Sequence, residues 1–245
     1  MLARDSRNFH GWGYRRSVVA ALEELSARAA SEDSKGATKT PTTQLSLVQP
    51  EHAYATRMIG TNLSNFSAWH ARARLLPQLL DLESATHAQR VAKLDAEREL
   101  VLEALYTDPY DASPWPYHAF LVASVCLPLE RAEKGEGKGG GTGMANRLRS
   151  SFVPEMSREQ RVAYLKEEIK RIDELREDAE DCRWVYQTLV DMATLYREIE
   201  GTWPEGMGLD VIVGWVQRMG ELDPLRMGRW RDVERRVKAL GGSEG

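Results

Sequence analysis

Two octapeptides in the first third of the chain share one chemistry at one spacing. Asn8-Phe9-His10-Gly11-Trp12-Gly13-Tyr14-Arg15 and Asn65-Phe66-Ser67-Ala68-Trp69-His70-Ala71-Arg72 each place Trp four residues after Asn and Arg three residues after Trp. Such matched copies mark an internal repeat, which constrains the fold more tightly than composition does. Asp111-Ala112-Ser113-Pro114-Trp115-Pro116-Tyr117-His118 keeps the polar start, the Trp and an aromatic–polar pair after it. The stretch 181–186 around Trp184 is a weaker copy, and 225–232 around Trp230 is weaker still. The intervals between these tryptophans are 57, 46, 69 and 46 residues. The longer intervals hold low-complexity inserts, and without them each unit is long enough for two helices and their turns.

The apolar periodicity is helical throughout, with no alternating strand pattern. A first helix is expected over His10–Ala30, with Trp12, Val19 and Leu22 on one stripe beside the stem of Arg15. Residues 31–50, rich in Ser, Thr, Lys and Gly, read as a surface insert. Glu51–Asn62 reads as a second helix. Ser64 or Asn65 caps a third, on which Trp69, Ala73, Leu76 and Leu80 align and Pro77 is expected to kink or shorten the helix. Arg90–Tyr106 reads as a fourth, ended by Asp108-Pro109, and Ser113-Pro114 opens the next with Ser as cap and Pro at the first helical position. The Gly-rich stretch 133–150 lacks the residue order of a phosphate-binding loop and reads as a disordered insert. Ser157-Arg158-Glu159-Gln160 fits a capping box, followed by Val162, Leu165, Ile169 and Ile172 on one face. Helices over Cys182–Glu200 and Leu209–Leu222 follow, and Asp223-Pro224 opens a last one to Leu240. The sum is an all-α, single helical-repeat domain over 1–245, a row of hairpins in which stacking hides the apolar face each leaves exposed.

Composition limits the function. A hydrophobic content of 42% supports a packed core, and a net charge of −4 argues against general nucleic-acid binding. Cys126 and Cys182 lack metal-ligand spacing, so the chain offers no zinc site of its own and fits a reducing compartment. No apolar run approaches the roughly 20 residues of a membrane span, and the N-terminus lacks the apolar core of a signal peptide. The expected location is the cytoplasm.

The Asn-aromatic-x-x-Trp-x-x-Arg motif at the head of helical pairs resembles the α-subunit repeats of protein prenyltransferases. Three segments match in order: Asn8–Arg16, Ser64–Arg72 and Thr107–Trp115. Ser64-Asn65-Phe66-Ser67-Ala68-Trp69-His70 and Thr107-Asp108-Pro109-Tyr110-Asp111 are most similar to the Rab geranylgeranyltransferase type. The resemblance is strong through Leu127 and weak after it. It implies an α-α superhelix, a right-handed crescent of hairpins embracing a β subunit. It also implies zinc on that β subunit, none in this chain, and Rab proteins with a Rab escort protein as further partners. A family repeat upstream, whose lysine steadies the leaving diphosphate, has no counterpart in the seven residues before Asn8, which reads as N-terminal truncation and leaves no firm catalytic residue.

Individual residues carry two readings each. Trp12, Trp69, Trp115, Trp184 and Trp230 are expected as repeat anchors. Asn8 and Asn65 suit helix caps or, with His70, a β-subunit interface. Arg15 and Arg72 suit internal carboxylates or that same interface, with diphosphate contact a third possibility. His10, where the matching family histidine lies beside the cleft, is the candidate substrate-binding residue, or else simply finishes a helix start. A helical scaffold that binds a partner without catalysis remains the alternative to a transferase subunit.

Overall fold

The computed structural model describes residues 2, 4–32, 42–126, 152–153 and 156–242. Among them every regular element is helical. The order is α1 Phe9–Glu32, α2 Thr42–Thr61, α3 Phe66–Leu82, α4 His87–Thr107, α5 Trp115–Cys126, α6 Arg158–Asp178, α7 Arg183–Glu200, α8 Leu209–Leu222, a short 3-10 turn Pro224–Arg226, and α9 Met227–Gly241. The expected insert 133–150 lies outside the described residues.

Local chemistry explains most boundaries. Asn65 caps α3, its side chain accepting from the Ala68 amide. Ser157 and Gln160 close the reciprocal capping box that opens α6. Gly201 ends α7 at φ 80°, a left-handed conformation that glycine adopts without a Cβ penalty.

Four expectations are corrected. The 31–50 insert is partly helix, since α2 begins at Thr42 and runs through Pro50. Val48 packs against Leu75 and Leu79, and that burial outweighs the loop-like composition. Pro77 does not shorten α3, which continues to Leu82. Pro114, rather than Ser113, supplies the carbonyl that accepts the first α5 bonds, from Tyr117 at 2.9 Å and His118 at 3.0 Å. Asp223 makes no side-chain cap, and a 3-10 turn separates it from α9.

The described residues fall into two compact units. Unit 1 comprises 1–101, 112–124 and 128–154, and unit 2 comprises 102–111, 125–127 and 155–245. In unit 1, α2 packs on α3 and more lightly on α1. Its buried side chains include Trp12, Ile59, Trp69, Leu76 and Leu94. In unit 2, α6 packs on α7, α7 on α8 and α8 on α9. Tyr186, Val190, Ala193, Ile212, Val216, Met219, Trp230 and Val237 form its core. Contacts between sequence neighbours dominate, the arrangement that stacked hairpins require.

Candidate functional site

The repeat motif builds one local device several times over. In α1 the Asn8 carboxamide oxygen accepts from the Gly11 amide at 2.7 Å, and the Trp12 indole donates to the Ser6 carbonyl at 2.8 Å. In α3 the Asn65 oxygen accepts from Ala68 at 3.1 Å, and the Trp69 indole donates to the Leu63 carbonyl at 2.8 Å. Each indole thus buries its ring while its N–H ties down the turn leading into the helix. Asn65 adds a bond between repeats, because its amide donates to Ser6 O at 2.7 Å. The Ser6 carbonyl therefore accepts from both Trp12 and Asn65, and the starts of α1 and α3 lie side by side.

The anchor of the fourth copy is not Trp184. That ring is only half-buried, with the Arg183 guanidinium 3.8 Å over it. Tyr186 is buried instead, and its hydroxyl donates to the Glu180 carbonyl at 2.8 Å, six residues back as for Trp12 and Trp69. Tyr186 stands four residues after the helix cap Cys182, the spacing from Asn65 to Trp69. In the last copy, buried Trp230 stands four residues after the cap Arg226 and donates to Asp223 O at 3.1 Å. Trp115 is buried at the start of α5. In the copies at α3, α7 and α9 the anchor stands four residues after the helix cap, so a search on tryptophan alone slips by two residues in the α7 copy.

The arginines close the hairpins. Arg15 meets Glu51 of α2 in a two-pronged pair, Nε to Oε2 at 2.8 Å and Nη2 to Oε1 at 2.5 Å, with the Tyr54 ring 3.6 Å beneath its guanidinium. Arg72 makes the same pair with Glu97 of α4 at 2.6 and 2.7 Å and donates a further bond to the Thr56 hydroxyl. Glu97 also accepts from the Tyr117 hydroxyl at 2.7 Å and pairs with Lys93 at 2.9 Å. Burial would push the Glu97 carboxyl up, but bonds and charge from Arg72, with help from Lys93 and Tyr117, outweigh it and hold it at about 2. His52 sits beside this cluster, its Nε2 buried and without a hydrogen-bond partner among the described residues. Burial first, and the Arg72 charge second, lower it to about 4.

These placements divide the candidate residues. Asn65 and Arg72 are buried within unit 1, where Asn65 bonds to Ala68 and Ser6 and Arg72 to Glu97 and Thr56. Asn8 and Arg15 are half-buried, and His70 is half-buried with its ring stacked on Phe66 at 6.4 Å. His10 is exposed on the first turn of α1, edge-on to Phe9 at 5.9 Å. Phe9 and Phe66, at the same motif position, are exposed as well. The exposed motif side chains at these helix starts are therefore Phe9, His10 and Phe66, with His70 half-buried beside Phe66. Glu51, Glu97, Thr56 and Ser6 carry no signal of their own in the sequence, because each is defined by a partner on another element, whereas Tyr117 already stood in the third motif copy.

Other chemistry is sparse. Cys126 and Cys182 are free and buried, and burial pushes the Cys126 thiol up to about 12, leaving it unreactive. Among the described residues no group of three His, Cys, Asp or Glu side chains is placed to hold a metal ion. No described helix is long and apolar enough to cross a membrane.

The family model for the protein prenyltransferase alpha subunit repeat matches residues 48–79, from the packed part of α2 through Asn65, Trp69 and Arg72 of α3. The chain is similar to the geranylgeranyl transferase type-2 subunit alpha of Schizosaccharomyces pombe, 33% identical over 98% of this chain and 60% of that protein. The Saccharomyces cerevisiae protein of the same name is 30% identical over 54% of this chain and 36% of its own length. The Mus musculus protein of that name is 35% identical over 54% of this chain and 21% of its own. The chain thus spans about three fifths of the fission yeast relative and less of the others.

Proposed function

We infer that this member of the protein prenyltransferase α-subunit repeat family is the α subunit of a heterodimeric type-2 geranylgeranyl transferase. It supports transfer of a geranylgeranyl group from its diphosphate to C-terminal cysteines of Rab proteins, presented by an escort protein in the cytoplasm. The observation that carries this reading is the ordered set of capped, Trp-anchored, Arg-closed hairpins in a chain similar along almost its whole length to a subunit of that name. A β subunit holds the zinc, which turns the acceptor cysteine into a thiolate.

This chain contributes support and one polar contact. Its clasped hairpins keep the starts of α1 and α3 together, and their exposed aromatic and imidazole groups face the β subunit. His10 donates a hydrogen bond to the diphosphate or to the acceptor peptide. Co-expression with a β subunit from the same source, followed by a transfer assay on a Rab–escort complex, tests the reading. Transfer that requires both chains supports it; absence of both co-purification and transfer contradicts it. In the active pair, His10→Ala is expected to lower transfer about tenfold, the worth of one hydrogen bond to a charged group, with His10→Gln retaining part of the rate.

A further inference from the structure

Tyr186 anchors its repeat, so the half-buried Trp184 ring is left for another task. It carries the Arg183 guanidinium 3.8 Å over its centre. The next repeat holds the same dipeptide: Arg229 precedes Trp230 and lies 5.1 Å over that ring. An indole face steadies a guanidinium by cation–π attraction, while the N–H groups at the guanidinium edge stay able to donate to an anion.

The two dipeptides meet at one corner of unit 2, joined by Asp223. Its Oδ2 lies 3.6 Å from Arg183 Nε and accepts from Arg226 Nη1 at 3.1 Å, and its backbone carbonyl accepts from the Trp230 indole. Arg226 and Arg229 both act on Arg183 by their charge. Further along α7, Asp191 lies within reach of the charges of Arg236 and Arg229. Four guanidiniums thus share two carboxylates, and two positive charges are left over. Arg15 and Arg72, by contrast, each close with two prongs on a carboxylate of their own. The excess registers at Arg183. Burial first, then the charge of Arg226 and next that of Arg229, loosens its proton below the ordinary guanidinium range, and Asp223 offsets only part of this.

We propose that Arg183, Arg226 and Arg229, held by Trp184, Trp230 and Asp223, form a binding site for a phosphate monoester dianion. The two surplus charges match the charge of about −1.5 to −2 that such an ester carries at pH 7. Its three terminal oxygens accept from several planar forks at once. A carboxylate brings one charge and two oxygens, the part Asp223 already fills. Arg226, 52% exposed, and the exposed Arg229 present their charges to solvent. The ester belongs to a small metabolite or to a phosphorylated serine or threonine of a peptide, and its chemistry at the three arginines is the same. The proposal does not depend on the transferase reading.

The test follows the arginine Nε–H signals of the full chain by NMR while sodium phosphate replaces sodium chloride at constant ionic strength and neutral pH. Saturable shifts are expected. Arg229→Gln, at an exposed position, and Arg183→Gln should each weaken binding about tenfold, the worth of one hydrogen bond to a charged group. Trp184→Leu removes no charge and should weaken it about threefold through loss of the platform. Arg235→Gln, on a 79% exposed side chain paired with Asp232, should leave it unchanged. Melting curves check that each variant is folded. A short peptide with one phosphoserine, and its unphosphorylated twin, then distinguish the sources. Phosphopeptide binding tighter than that of inorganic phosphate assigns the ester to a peptide, equal binding assigns it to a small molecule, and both support the site. Phosphate that binds no better than chloride, or binding indifferent to Arg229→Gln, overturns the proposal. So does equal binding of the unphosphorylated twin. An RNA dodecamer that binds through Arg229 where phosphate does not would give the arginines to nucleic acid and also overturn it.

Discussion

Glu97 is the residue on which unit 1 depends most. It is buried, and it takes both prongs of Arg72, the hydroxyl of Tyr117 and the ammonium of Lys93. Replacing it leaves the Arg72 guanidinium charged, buried and uncompensated. Glu97→Gln is therefore expected to destabilise the fold by about 3–5 kcal/mol in urea unfolding. The equivalent Glu51 is more exposed and has fewer partners, so Glu51→Gln should cost about 1 kcal/mol or less. His52 gives a separate signature in pH. Its folded value of about 4 lies below the ordinary 6.5, so between these the unfolded chain binds the extra proton. The stability it confers is complete above 6.5 and is lost as pH falls toward 4, on the order of 2 kcal/mol after solvent screening. Glu97 acts lower, its contribution present above about 4.5 and lost as pH falls through about 2. Melting curves of wild type and His52→Gln at pH 7 and 4.5 separate the two, since the variant should lose the slope only in the upper window.

At the scale of the helix, the caps at Asn65 and Ser157 were readable within one turn of sequence, those expected at Ser113 and Asp223 did not form, and what lies across a contact was not readable. The capping box at Ser157 and the cap at Asn65 are written in neighbouring residues, and the helices start where those residues say. The first half of α2 is written in Thr, Gln, Ser and Pro. Only Val48 meeting Leu75 and Leu79 makes it worth folding, and no local pattern announces that meeting. The Trp184 copy shows the same limit: the eye follows the rarer side chain, while the fold follows the spacing from the cap. Tyr186→Phe is accordingly expected to destabilise unit 2 by about 1 kcal/mol through loss of the bond to Glu180 O. Trp184→Phe, on a half-buried ring, should cost less than about half of that. Thermal unfolding of the two variants checks the assignment, and the reverse order would restore Trp184 as the anchor.

At the scale of the molecule, every regular element among the described residues is a helix, and neighbouring helices pack in pairs within each unit. The similarity to type-2 geranylgeranyl transferase α subunits supports the proposed chemistry, and the clasped helix starts support the proposed partner face. Both readings left open by the sequence, transferase subunit and free-standing scaffold, contain the same hairpins and differ in company. The most direct measurement is the mass, by size-exclusion chromatography with light scattering, of this chain co-expressed with a β subunit from its own source. The account predicts a one-to-one pair that transfers geranylgeranyl to a Rab–escort complex. A chain that elutes alone, with the β subunit separate and no transfer, would contradict it.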